Sequence, residues 1–279
     1  RRLARPRALS ARRHGGGPFV TRWALAGAGV IVLAALAGAL YRQWRGAAGL
    51  RLQLDAATLE LQQLQTAWSR LAPAGVVQRL VADGATPSPE ATAERKIATA
   101  LFADLVGYTA MSGRLELAVL PRVLNGYFQR MSDAIHQHRG HVSTFLGDGI
   151  LAYFGAIQPN PWQSDDAVRA ALAMRAALEG YNVELTAEGL PALALGVGIH
   201  RGPGLAGLIG SRERMEYGFV GSTVNLAARV QGLTRVHRVD ILVTEALRAE
   251  LDPHFVLTPM PAETVKGIAE PVVTYAVKG

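Results

Sequence analysis

Val142-Ser-Thr-Phe-Leu-Gly-Asp-Gly-Ile-Leu-Ala-Tyr-Phe154 is the stretch on which the fold turns. Apolar residues flank Gly147-Asp148-Gly149, and an Asp-Gly pair between two such runs is a strong short-range hairpin signal, so two antiparallel strands are expected here. Upstream, Ile97-Ala-Thr-Ala-Leu-Phe-Ala103 is an apolar run of buried-strand length that stops at Asp104, ahead of Gly107. Leu117 to His136 lies between them and carries apolar residues at helical spacing. Downstream, Asp165 to Val183 reads as a second amphipathic helix, Ala192 to His200 and Glu216 to Val220 as strands, and Thr223 to Leu233 as a third helix. The order strand, helix, strand, strand, helix, strand is that of a ferredoxin-like αβ sandwich, an α+β fold. No internal repeat is evident.

Composition narrows the class. The chain has 279 residues, 29 Lys+Arg, 22 Asp+Glu and no Cys, which excludes a disulfide framework and a thiolate metal site. At 49% hydrophobic and 18% charged it is not a disordered chain, and by the usual domain size of about 100–200 residues it holds one to two domains. Seven Arg and no acid occur in the first 22 residues, so 22 basic residues remain against 22 acidic ones and the whole net charge of +7 sits in one arm. A body without net charge binds a phosphate backbone poorly, so no nucleic-acid partner is expected. A basic arm beside an apolar run instead suits an anionic lipid surface.

That run, Trp23 to Tyr41, has 19 residues and no charge. It is just long enough to cross roughly 30 Å of hydrocarbon as a helix. A signal peptide or a buried helix are its alternatives, but the apolar part of a signal peptide usually has about 7–15 residues, which favours a retained transmembrane helix. Arginines are more numerous on its N-terminal side, so the positive-inside rule applied to this helix alone would put the C-terminal domain outside. The cytosolic substrate argued below places that domain in the cytoplasm, at the cell (inner) membrane. Since the chain starts at Arg1 and not at Met, upstream spans, if any, would settle the orientation.

Leu50, Leu54, Ala57, Leu61, Leu64, Trp68 and Leu71 alternate spacings of four and three, the a/d seam of a parallel coiled coil. One amphipathic helix packed on its own domain is the alternative, because the flanking positions are rich in Gln. Pro73, Gly75 and Gly84-Ala-Thr-Pro-Ser-Pro89 then break the pattern around a short helix, Val76 to Val81. The expected organisation is a basic arm over 1–22, a transmembrane helix over 23–41, a coiled-coil signalling helix over 42–71, a linker over 72–94 and a catalytic domain over 95–279.

Five blocks in that last segment resemble class III adenylate/guanylate cyclases: Leu101-Phe-Ala-Asp-Leu-Val-Gly-Tyr-Thr109, Thr144-Phe-Leu-Gly-Asp-Gly-Ile-Leu-Ala-Tyr-Phe-Gly155, Gly198-Ile-His200 with Gly202, Gly221-Ser-Thr-Val-Asn-Leu-Ala-Ala-Arg229 and Val265-Lys-Gly267. They stand in the family's order. The resemblance implies conversion of ATP to 3′,5′-cyclic AMP and pyrophosphate, with two Mg²⁺ or Mn²⁺ ions held by Asp104, Asp148 and the carbonyl of Leu105. It further implies that Asn225 orients the ribose, Arg229 stabilises charge on the α-phosphate and Lys266 binds the triphosphate. Chemistry agrees: in-line attack of a 3′-hydroxyl on the α-phosphorus calls for cations on attacking and leaving oxygens, and hard cations take carboxylates. Gly107, Tyr108 and Thr109 form a glycine turn into a helix, where backbone N–H groups can meet phosphate. Taken alone, Asp148 reads equally as a type I′ turn residue, Asp104 as a helix cap, Asn225 and Arg229 as a solvated helix face, and Lys266 as a surface lysine.

In three places the chain departs from the family. Thr144 stands where many members carry a base-reading lysine, Gly218 where they carry Asp, Thr or Ser, and Gly196 where some carry a triphosphate-contacting arginine. Neither the adenine nor the guanine code is complete, so weak base discrimination is expected. By resemblance, each active site lies between two domains, and one chain carries one copy of each half, so a head-to-tail homodimer joined through the cyclase domain and the coiled coil is expected. A catalytically silent dimerisation domain and a guanylate or mixed-specificity cyclase are the alternatives.

Overall fold

Residues 93–211 and 215–278 are described by the structure, a computed structural model. Strand β1 (Glu94–Leu105) runs through the middle of the sheet, followed by the one-turn helix α1 (Tyr108–Ser112) and by α2 (Leu120–Gln137). The hairpin β2 (His141–Leu146) and β3 (Gly149–Phe154), helix α3 (Gln163–Ala187) and the long strand β4 (Leu195–Gly210) complete the first half. Then come β5 (Met215–Val220), α4 (Ser222–His237), β6 (Ile241–Thr244), the short α5 (Glu245–Arg248), β7 (Val256–Pro259) and β8 (Thr274–Lys278). The sheet order is β2-β3-β1-β4-β6-β8-β7, with β5 paired to the far part of β4. Its first four members in space are those of the expected ferredoxin-like unit, all antiparallel, and the remaining strands extend it.

Strand alternation sorts the core. Leu101, Ala103 and Leu105 of β1 join Ile150, Ala152 and Phe154 of β3 under α2 and α3 in the main core. The intervening residues, Ala98 and Ala100 with Leu151 and Tyr153, face the other side and pack with Phe219 and Ala227 of the α4 face. Helix α4 sits close to β4 because the strand offers no side chains beneath it: a Cβ on Gly198 would lie 2.1 Å from the Gln231 amide nitrogen, and one on Gly196 would lie 2.4 Å from Thr234 Oγ1.

Two expectations need correction. The hairpin turns one residue earlier than Asp148-Gly149. Leu146 pairs with Gly149, Gly147 has φ +66°, and Asp148 is not among the positive-φ residues, which is the II′ pattern with glycine first and not the I′ pattern. Strand β4 also continues past His200 through Gly202-Pro203-Gly204. Pro203 is tolerated because it pairs with Ile97 on one side, between the β6 partners at 197–199 and the β5 partners from Leu205 on. Among the described residues no helix is long and apolar enough to cross a membrane. The arm, the helix expected over 23–41, the coiled coil over 42–71 and the linker up to residue 92 lie outside the described residues, and Glu94, the last linker position, already opens β1.

Candidate active site

Asp104 is the penultimate residue of β1 and, by alternation, faces α4. The β1–β3 register, with Ala103 opposite Ile150, brings it beside the hairpin turn that carries Asp148. The two carboxyl groups are neighbours, and Asp104 is pushed up to about 6, chiefly by burial and then by the charge of Asp148, with Arg235 pulling the other way. Arg235 of α4 donates from Nη2 to Asp104 Oδ2 at 2.6 Å and to the Leu105 carbonyl at 3.4 Å. Beneath them Tyr127 of α2 is wholly buried, and its hydroxyl finds no hydrogen-bond partner. Burial first, then the charges of Asp104 and Asp148, push its ionisation upward, which places that hydroxyl in the field of the acid pair.

These groups fit a hard divalent ion. Two neighbouring carboxyl groups and a carbonyl already directed at a cation make an oxygen-only donor set. Among the described residues no group of three or more His, Asp or Glu side chains forms a closed cage, so phosphate or water oxygens have to complete the shell.

Asn225 and Arg229 stand one turn apart on α4, both exposed, and no hydrogen bond or ion pair holds either among the described residues. The structure does not bring them to the aspartates. Thr223, near the start of α4, hydrogen-bonds the Pro203 carbonyl at 2.7 Å, while Arg235, near its end, holds Asp104. Along the helix Arg229 and Asn225 precede Arg235 by about 9 and 15 Å at 1.5 Å per residue.

The other candidates divide. Gly107 adopts φ +74° as the N-cap of α1, at the same sheet end as Asp104, and Thr109 is exposed. Tyr108 is partly buried against the main core. Val265 anchors the Lys266 loop, where the Ile268 amide donates to the Val265 carbonyl at 3.2 Å and Gly267 takes φ +84°, a type II turn that displays an exposed Lys266. In β2 the register shifts between Val142 and Thr144, so Thr144 pairs with Leu151 and joins the α4 face, where an unshifted strand would have turned it away. Gly218 lies next to Phe219, whose carbonyl accepts from Tyr153 of β3 at 3.0 Å. Gly196 has a packing reason: a larger side chain would strike Thr234.

Sequence reasoning missed Arg235 and Tyr127. Tyr127 left a signal, being a hydroxyl-bearing residue in the inward stripe Val123, Tyr127, Met131, Ile135. Arg235 left none, because its partner is 131 residues away.

A model of the adenylate and guanylate cyclase catalytic domain matches residues 91–279. An adenylate cyclase of Anabaena cylindrica is 32% identical over 192 residues, which are 67% of this chain and 37% of that protein. Adenylate cyclase 1 of Rhizobium meliloti is 30% identical over 185 residues, 66% of this chain and 28% of its own length. The chain thus spans only about a third of these curated relatives. Among solved structures, the guanylyl cyclase Cya2 has 32% identity and a TM-score of 0.61, covering 67% of this chain and 94% of its own. The adenylyl cyclase CyaB from P. aeruginosa has 28% identity and a TM-score of 0.63, covering 67% and 96%.

Proposed function

This chain belongs to the adenylate and guanylate cyclase catalytic domain family, and from that premise we propose that it is a membrane-anchored nucleotide cyclase making 3′,5′-cyclic AMP and pyrophosphate from ATP as a head-to-tail homodimer. The observation that carries the reading is the juxtaposition of Asp104 and Asp148 with the Leu105 carbonyl at one sheet end. Two divalent ions, when bound there, would polarise the 3′-hydroxyl and neutralise the departing pyrophosphate. Asp104, Asp148 and Leu105 hold the phosphate end of the site. Asn225 orients the ribose so that O3′ lies in line with the α-phosphorus, the O3′–Pα bond forms as the Pα–O bond to the β-phosphate breaks, the hydroxyl proton passes to solvent water, and Arg229 meets the charge on the α-phosphate oxygens. Lys266 binds the triphosphate as a point charge. Because α4 sets Arg229 and Asn225 about 9 and 15 Å along its axis from Arg235, the residue that holds Asp104, the complete set is assembled from two chains. Anchoring at the cell inner membrane with the catalytic domain in the cytoplasm rests on the uncharged run over 23–41 and the cytosolic substrate. Incubating the full chain with ATP or GTP and Mn²⁺ tests the reading. Cyclic nucleotide with pyrophosphate supports it, and nucleotide binding without product supports a silent dimerisation domain.

A further inference from the structure

Arg235 touches two of the three protein groups assigned to the phosphate end of the site, Asp104 and Leu105. Its Nη2 lies 2.6 Å from Asp104 Oδ2 and 3.4 Å from the Leu105 carbonyl. A divalent ion bound by those two oxygens sits about 2.0–2.2 Å from each, in the space the guanidinium nitrogen now fills. Two cations cannot occupy that space together, and mutual repulsion adds to the overlap. The Arg235 side chain is 50% exposed, against 24% for Asp104, so it can swing into solvent without opening the core. It is also placed with care: the neighbouring Thr234 is buried over Gly196, the ladder partner of Asp104, which fixes the helix end from which Arg235 reaches.

We propose that Arg235 is an internal counter-cation that competes with the divalent ion for Asp104 and Leu105, so that loading the site requires its displacement. Arg235 thereby sets the metal affinity of the free protein. The idea rests on the reading of Asp104 as a metal ligand, and the test separates the two.

Mn²⁺ is titrated against the full chain without nucleotide, and free Mn²⁺ is followed by electron paramagnetic resonance. Arg235→Ala should bind Mn²⁺ about three- to fivefold more tightly than the unmodified chain, the fold-change that an exposed ion pair stores. The same variant should show a larger Mn²⁺-induced rise in Tm. Arg238→Gly removes one positive charge from the same helix end at a position of φ +55°, without a contact to Asp104, and should leave the affinity unchanged. Unchanged Mn²⁺ affinity in a folded Arg235→Ala chain, with binding still abolished by Asp104→Asn, overturns the role of Arg235 and leaves the metal site standing. If Asp104→Asn binds Mn²⁺ as well as the unmodified chain, both fall.

Discussion

The two ends of α4 are built for different things. Its last turn is tied down, with Arg235 paired to Asp104 and Thr234 buried against the sheet, whereas its first turns show Asn225 and Arg229 to solvent with nothing to hold them. On the proposed reading these are two half-sites, the fixed one holding the acids of its own chain and the open one serving the phosphate end of another.

The largest effect expected from breaking either half is on turnover. Asp104→Ala should lower kcat by roughly a thousandfold or more, since carboxylates that hold phosphate-bound cations contribute several kcal/mol to the transition state. Arg229→Ala should cost on the order of 10²–10³ in kcat, as removing one donor to a developing charge does. Circular dichroism of both variants should be unchanged. A near-normal kcat for either, measured as cyclic product per chain, would remove that residue from the chemistry.

Next in size is the platform that carries both halves. Gly198→Ala puts a Cβ 2.1 Å from the Gln231 amide nitrogen, so α4 must lift. Overpacking of this kind costs about 1–3 kcal/mol, and calorimetry should show a Tm lower by several degrees with both half-sites impaired together. An unchanged Tm would mean that the helix–strand contact is looser than the structure has it.

Acid should act on the platform and on the acid half-site in opposite directions. His200 of β4, with Nδ1 2.8 Å from Thr244 Oγ1, and His141 of β2 are both depressed to about 4 by burial, His141 also by the charge of His136. Between the ordinary 6.5 and about 4 the unfolded chain therefore binds more protons than the folded one, so their contribution to stability is complete above pH 6.5 and is lost as pH falls toward 4. Asp104, raised from 3.8 to about 6, binds its proton more readily when folded and opposes the loss over that span. Urea midpoints measured between pH 7 and 4 should fall, and His200→Asn should flatten the profile; a midpoint that rises on acidification would show Asp104 to dominate.

The smallest effect concerns the base. The β-bulge in β2 brings Thr144 to the α4 face, where a hydroxyl can either donate or accept, and Gly218 offers only backbone. The ratio of kcat/KM for ATP to that for GTP should be well below the 10⁴ or so that a dedicated hydrogen-bonding site can reach, and Thr144→Lys should shift it toward ATP by about tenfold. A strong ATP preference in the unmodified chain would assign base reading to other residues.

Much of this architecture was legible in the chain, and the exceptions have physical causes. Long periodic helices and the Gly147-Asp148-Gly149 hairpin announce themselves because their signal is local. Strand β6 is four residues long and β7 and β8 are four and five, too short to rise above their surroundings. Gly202-Pro203-Gly204 reads as a break, yet each glycine is a packing requirement: a Cβ at Gly202 would meet Thr223 Oγ1 at 2.6 Å and one at Gly204 the Phe219 ring at 2.4 Å. At the site, the candidates came from motifs. What no motif could supply was the β2 bulge that re-aims Thr144, and an ion pair closed across 131 residues of chain.

Mixing two crippled chains tests the division of the site most directly. Asp104→Ala and Arg229→Ala homodimers should each be nearly inactive, because every site lacks one essential group. In a heterodimer of the two, one site collects both defects and the other collects neither. Random exchange makes about half the dimers mixed, so activity should recover to roughly a quarter of the unmodified level by the symmetry of the interface. No recovery, with exchange verified by differently sized tags, would show that each chain completes its site from its own residues.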